Sequence, residues 1–255
     1  MGAGLPGPAA MSESPWPTFE QPPSVAFVDV DGTLLAETTT FLFARILYRK
    51  GLIRRSFLLR ALYHGLQHRL GRLDYGRLIA YGLANISRIP VIELERIAYE
   101  NFVEHIKPRL YEGVVEHFNA LRRRGTSIVL VSSSPGLVIE PLCIYLGCTA
   151  TLTTPVVIER NRLVGVGSGP PCYGEGKLYW AEHWAEEHGL SMLEAVGYAD
   201  NWSDRALLER VGHAVVVHPK GRLLRLARER GWDVVRPRQP PRSPGRRRWP
   251  SKHKT

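Results

Sequence analysis

Val25-Ala26-Phe27-Val28-Asp29-Val30-Asp31-Gly32-Thr33 decides the fold of this chain. Four apolar residues running into a turn-forming glycine read as a strand of a parallel sheet, because such strands are covered on both faces. In an open α/β sheet, ligands bind in the crevice beyond the carboxyl ends of the strands. Asp29 and Asp31 fall at that end, and residues two apart in an extended backbone point to the same side. Carboxylates this close repel, so both ionise only beside a cation, or one keeps a proton. The pair suits a site with one nucleophilic carboxylate, one acid/base carboxylate and a bound metal. The alternative is an Asp-Gly turn with an incidental second acid.

Three later segments extend the pattern. Ile128-Val129-Leu130-Val131 is a second strand, ending in Ser132-Ser133-Ser134-Pro135-Gly136. A hydroxyl at Ser132, just ahead of a helix, is either a donor to phosphate oxygens near the positive helix end or a helix cap. Cys172-Tyr173-Gly174-Glu175-Gly176-Lys177 opens a helical stretch, and taken alone Lys177 reads as a solvated surface residue. Val196-Gly197-Tyr198-Ala199-Asp200 is another strand running into acids, with Asp204 four residues on. Alone, Asp204 could simply stand near the start of the helix at Arg205, where negative charge is welcome.

In this order the four segments resemble the haloacid dehalogenase superfamily of phosphohydrolases, nearest to its phosphoserine phosphatase-like branch with a helical cap between the first and second motifs. The resemblance spans residues 24–235, and Gly165-Val166-Gly167-Ser168-Gly169 and Cys172-x-Gly-x-Gly-Lys177 share in it. It implies that Asp29 is the nucleophile, forming an aspartyl-phosphate, and that Asp31 is the acid/base. It implies that Ser132 hydrogen-bonds the phosphoryl oxygens and that Lys177 neutralises charge on the nucleophile and phosphoryl group. Mg²⁺ is then held by Asp29, the backbone carbonyl of Asp31 and Asp200, with Asp204 supporting that shell. Three positions depart from the branch: Ala199 where glycine is usual, Glu37 one residue early for the acid that holds an amine, and Ala80 where a cap arginine is expected. The resemblance therefore does not extend to phosphoserine as the substrate.

The residue types make chemical sense together. Phosphoryl transfer needs positioning and charge neutralisation above all. Mg²⁺ prefers oxygen ligands and keeps several waters. A metal and a lysine offset the repulsion between a carboxylate nucleophile and a phosphate. An acid at Asp31 protonates the leaving alkoxide.

The fold class expected is α/β: a doubly wound, Rossmann-like parallel sheet with an inserted helical cap. The core is assigned to residues 24–36 and 113–235, and the cap to 37–112. Strands are expected at 24–30, 127–131, 151–155, 193–198 and 213–217, with 232–235 as a short edge strand. Core helices are expected at 113–124, 136–146, 176–188, 203–210 and 220–230. Val156-Val157-Ile158 and Leu163-Val164 read as a hairpin flap joined through residues 159–162. Residues 1–23 and 236–255 are rich in Gly and Pro or in Arg and Pro, and are expected to be disordered. Deleting the chain from Arg236 onward is accordingly expected to leave the chemistry intact.

The chain is basic, with 34 Lys and Arg against 24 Asp and Glu and a formal charge of +10. Between Arg45 and Arg77 nine basic residues face the single acid Asp74, interleaved with apolar residues at helical spacing. This reads as a cap helix with a solvated basic face, or as a surface for an anionic substrate head or an anionic membrane. The basic tail raises the same question for lipid or nucleic acid. Cys143, Cys148 and Cys172 lack metal-ligand spacing and read as thiols in a reducing compartment. With no secretory signal visible and no stretch long enough to span a bilayer, cytoplasm is the expected location. The reading is a Mg²⁺-dependent phosphomonoesterase acting on a small phosphorylated substrate. A phosphotransferase, and an idle core serving as a basic interaction protein, are the rivals.

Overall fold

A computed structural model describes residues 14–54, 56–57 and 75–240. The chain runs β1 (Val25–Asp29), α1 (Thr39–Arg49), α2 (Tyr75–Ile86), α3 (Val91–Asn101), α4 (Val114–Arg123), β2 (Ser127–Pro135) and α5 (Gly136–Leu146). It continues through β3 (Ala150–Thr154), β4 (Val156–Glu159), β5 (Arg162–Val166), α6 (Glu175–Glu187), β6 (Ala195–Ala199), α7 (Arg205–Arg210), β7 (His213–Val217), α8 (Gly221–Arg230) and β8 (Asp233–Val235). The part of the basic stretch at Arg55 and residues 58–74, and the terminal segments 1–13 and 241–255, lie outside the described residues.

Six strands form one parallel sheet in the order β3-β2-β1-β6-β7-β8. All five residues of β1 are buried, and the two-residue period splits them between two cores. Ala26 and Val28 join Phe118, Ile139 and Leu142 on one face. Val25 and Phe27 join Trp184, Ala185 and Leu208 on the other, with the Phe27 ring edge-on to Trp184 at 6.0 Å. Helices thus cover both faces, which is why the strand reads as unbroken apolar sequence. Each buried Val, Leu, Ile or Phe among them contributes about 1.5–3 kcal/mol.

A third cluster joins Phe43 and Leu47 of α1, Ile79 and Leu83 of α2, and Leu94 and Ile97 of α3 with Val138 of α5 and Leu163 of β5. The β4–β5 hairpin therefore packs with the inserted helices. Its turn is only Arg160 and Asn161, both at positive φ (46° and 60°), the two-residue geometry whose twist matches paired strands. That is why the strands reach further than residues 158 and 163. The Asn161 carbonyl accepts from Val91 N at 2.9 Å, and Asn161 Oδ1 accepts from Ile92 N at 3.2 Å. These bonds satisfy the open first turn of α3, whose Pro90 cap has no side chain to do so.

The chain is knitted together where it enters and leaves the helical insert. Tyr111 N donates to Leu34 O at 2.8 Å, Leu35 pairs with Leu110, and Arg109 Nε meets Glu37 Oε1 at 3.3 Å. The inner parts of both terminal segments, residues 14–23 and 236–240, converge on the same crossing; the remainder of the expected disorder, residues 1–13 and 241–255, lies outside the described residues. Trp16 is buried, stacks on His117 at 5.2 Å, and its Nε1 donates to Glu112 O at 3.0 Å. Glu112 N in turn donates to Arg238 O at 3.0 Å, and His218 Nε2 lies 2.9 Å from Pro237 O. Sequence composition missed this because a Pro-rich segment can still dock through one large aromatic ring or through its own carbonyls.

The truncation expectation changes accordingly. Cutting at Arg236 removes two carbonyl partners, each worth about 1 kcal/mol. The melting temperature of that variant is expected to fall by about 4–8 °C, given about 2–4 °C per kcal/mol at this size. Cutting after Pro240 is expected to leave it unchanged. Thermal unfolding of the two truncations measures the difference, and equal midpoints would mean that residues 236–240 contribute nothing.

Candidate active site

The strand register aligns the acids. Asp29 pairs with Val131, so Ser132 stands one residue beyond it on the neighbouring strand. Val28 pairs with Tyr198, so Asp200 emerges just past the same edge on the other side. Gly32 has φ +93°, and a Cβ there would lie 2.2 Å from Asp200 Oδ2. Only glycine lets the loop after β1 pass so near that carboxylate. On the opposite wall, a Cβ at Gly176 would lie 1.9 Å from Pro171 O. The start of α6 is drawn against that carbonyl, and Lys177 turns inward, 4 % exposed.

Lys177 is thus a buried cation, against the surface reading. Its Nζ donates to Asp29 Oδ1 at 2.6 Å and to Asp204 Oδ2 at 2.9 Å. Burial works against the ammonium, but Asp204 and Asp29 more than offset it and hold Lys177 above its usual range. Asp204 makes no capping bond to α7; it is committed to Lys177 and to Ser203. The second oxygen of Asp29 accepts from Thr33 Oγ1 at 2.8 Å. Both oxygens of Asp29 therefore have fixed donors, a lysine from one side and a hydroxyl from its own loop.

Asp31 faces elsewhere. Its Oδ1 accepts from Thr39 N at 2.8 Å, at the start of α1. That helix has no acid in its first turn and no side-chain cap of its own. The Asp31 carboxylate meets this need from a remote loop. Burial raises the Asp31 carboxyl to about 6, the Thr39 N–H opposing and Asp29 adding to the rise. Ser132 is buried and is no helix cap; its Oγ accepts from Ser134 N at 3.1 Å, which leaves its hydroxyl proton free to donate. Ser134 Oγ lies 2.9 Å from Thr39 Oγ1 and 2.6 Å from Thr40 Oγ1, tying the start of α1 to the end of β2.

Sequence reasoning missed Thr33, Thr39 and Ser134. Thr33 stands in the opening motif four residues after Asp29, so its signal was present. Thr39 acts through its backbone N–H, which leaves no mark in the side-chain pattern.

Among the described residues, Asp29, Asp200 and Asp204 can bring carboxylate oxygens within 4.8 Å of one another. The Asp31 side chain is not part of that group. Burial, and then Asp29 and Asp204, push the Asp200 carboxyl up to about 8, only partly opposed by Lys177. Burial and Asp29 likewise raise Asp204 to about 6 despite Lys177. One lysine does not balance these acids. An all-oxygen set with excess negative charge fits a hard divalent cation.

Residues 26–209 match the haloacid dehalogenase-like hydrolases, and the chain belongs to that family. It is similar to a phosphoserine phosphatase of Mycobacterium tuberculosis, 29 % identical over 238 residues covering 90 % of this chain and 76 % of the relative. It is also similar to a histidinol-phosphatase of Neisseria meningitidis serogroup C, 27 % identical over 220 residues covering 83 % and 98 %. A Bordetella pertussis protein of unknown function shares the fold with a TM-score of 0.74 at 24 % identity, over 83 % of this chain and 97 % of that one. No helix among the described residues is long and apolar enough to cross a membrane.

Proposed function

We propose that the protein is a Mg²⁺-dependent phosphomonoesterase that works through an aspartyl-phosphate on a small phosphorylated metabolite. The convergence of Asp29, Lys177, Asp200 and Asp204 from three distant sequence segments at one sheet edge carries this reading. Relatives named as phosphatases support it.

Asp29 attacks phosphorus with a carboxylate oxygen, and the bond to the leaving oxygen breaks. Lys177 and Thr33 fix the attacking group, so little reorganisation is needed. Asp31, raised to about 6, can carry a proton near neutral pH and deliver it to the leaving alkoxide. It then takes a proton from the water that cleaves the aspartyl-phosphate. Ser132 donates its free hydroxyl to a phosphoryl oxygen. Asp29, Asp200 and the Asp31 carbonyl would hold Mg²⁺, with Asp204 supporting. Bound there, the metal supplies charge neutralisation between phosphate and carboxylates.

The two named relatives carry different substrates in their names, so the shared chemistry is a phosphate monoester. Glu37 is engaged by Arg109 at the base of the insert, which leaves phosphoserine no better supported than other esters. Release of phosphate from nitrophenyl phosphate and a panel of phosphorylated metabolites, with and without Mg²⁺, tests the proposal. Added alcohols separate hydrolysis from transfer. No release from any ester with Mg²⁺ present would overturn it.

The raised carboxyls give a pH signature. Asp31 and Asp204 near 6 and Asp200 near 8 stand above the ordinary 3.8, so the native state binds protons more tightly than the unfolded chain. Metal-free stability is then fullest below about pH 4 and is lost as pH rises through 6 and 8. Mg²⁺ competes with those protons, so its stabilisation is expected to grow over the same range. Melting temperatures from pH 5 to 8, with Mg²⁺ and with a chelator, should diverge as pH rises. Parallel curves would speak against this acid cluster as the metal site.

A further inference from the structure

Helix α5 ends in a particular way. Gly147 follows it in the left-handed region at φ +65°, and Gly147 N donates to Ile144 O at 3.1 Å. Cys148 N reaches back to Cys143 O at 2.9 Å. These two bonds define the motif that ends a helix with a 6→1 and a 5→2 pair. In that motif the residue just past the glycine packs its side chain on the residue five positions earlier, commonly through an apolar contact. Here both positions are cysteines. Cys143 Sγ lies 3.9 Å from Cys148 O, and both thiols are free.

We propose that Cys143 and Cys148 form a reversible intrachain disulfide, a modification site at the C-terminal end of α5 that closes when a peroxide-type oxidant is present. The backbone bond and the approach of Cys143 Sγ to the Cys148 carbonyl already hold the two residues side by side at one helix end. Cys148 is partly exposed between exposed Gly147 and Thr149, which gives an oxidant access. The adjoining Cys148 thiol lowers the Cys143 thiol below its ordinary range, which favours the reactive thiolate. The same contact with Cys143, together with burial, holds the Cys148 thiol well above its ordinary range, and Arg122, whose Nη1 donates to Leu146 O at 2.8 Å, opposes this only in part, so Cys143 is the thiolate partner and Cys148 the thiol that resolves it.

The chemistry balances with one peroxide per bridge. A thiolate sulfur attacks the O–O bond and becomes a sulfenic acid, and the departing oxygen leaves as water after protonation. The second thiol displaces the sulfenic oxygen as a second water, and the S–S bond forms. The two sulfurs together lose two electrons, and the peroxide gains them. Cys172 is set apart: it is buried, its thiol donates to Leu152 O at 3.3 Å, and burial pushes it up to about 12.

The test oxidises the native full-length protein with hydrogen peroxide or diamide, then unfolds it, alkylates the remaining thiols and analyses the peptides by mass. The expected result is one alkylated cysteine, Cys172, and a segment containing residues 143–148 two hydrogens lighter, restored by dithiothreitol. In Cys148→Ser and in Cys143→Ser the loss of two hydrogens should vanish. Cys148 is the less buried position, so its variant keeps the control usable should Cys143→Ser fail to fold. Cys143 and Cys148 both alkylated after excess oxidant would overturn the proposal. So would oxidation through Cys172, or a bridge found only between two chains. The readout does not involve turnover, so it stands or falls separately from the phosphatase reading.

Discussion

Asp29→Asn is expected to reduce phosphate-ester turnover to the background rate, a loss of about 10⁴-fold or more, as for other nucleophiles that work as part of a unit. The structure says why the fold should survive. Asp29 receives two donors, Lys177 Nζ and Thr33 Oγ1. An asparagine can offer its amide oxygen to the lysine, which can only donate. Its NH₂ then faces the Thr33 hydroxyl, which can rotate to accept. The hydrogen bonds persist while the attacking charge is gone. Phosphate release, together with thermal unfolding, checks this. A variant that folds and still turns over at a tenth of the native rate, or a phosphoryl adduct trapped on another residue, would sink the assignment of Asp29.

The sheet was legible because its strands are covered on both faces. Buried parallel strands must be written as continuous apolar runs, and Val25–Val28 and Ile128–Val131 are such runs. Asp29, Asp31 and Asp200 were legible because a charged residue at or just past the end of an apolar run marks the carboxyl end of a strand. What sequence could not convey was the commitment of each side chain. Lys177 looks like any helix-start lysine until the close approach of Gly176 to Pro171 turns it inward. Asp204 reads as a helix-start acid until that lysine arrives. The docking of residues 16 and 237–238 was not legible for a different reason. Composition averages over a segment, whereas Trp16 anchors its neighbours by filling one slot beside His117 and Tyr198. Trp16 and Arg238 meet at opposite sides of one residue, Glu112, a contact fixed by tertiary structure alone.

Lys177→Met is expected to damage both activity and stability, and the pH dependence of the damage identifies its cause. Methionine matches the length of the lysine stem but leaves Asp29 and Asp204 without their shared cation. Breaking a buried ion pair by removing one partner costs about 3–5 kcal/mol, because the remaining charge has no compensation. In the proposed mechanism Lys177 also offsets charge on the phosphoryl group, so turnover should fall about a hundredfold or more. Asp204 already stands near 6 with Lys177 opposing the rise, so losing the lysine raises it further. A carboxyl raised in the native state stabilises it at low pH and ceases to do so as pH climbs through its native value. The variant should therefore come nearest to native stability near pH 5 and fall furthest behind near pH 8. Mg²⁺ should recover part of the stability, since it supplies positive charge to the same acids, and little of the turnover. Melting temperatures of both proteins across this range, with and without Mg²⁺, decide the matter. A deficit of equal size at every pH would mean that the lysine matters for packing rather than for its charge.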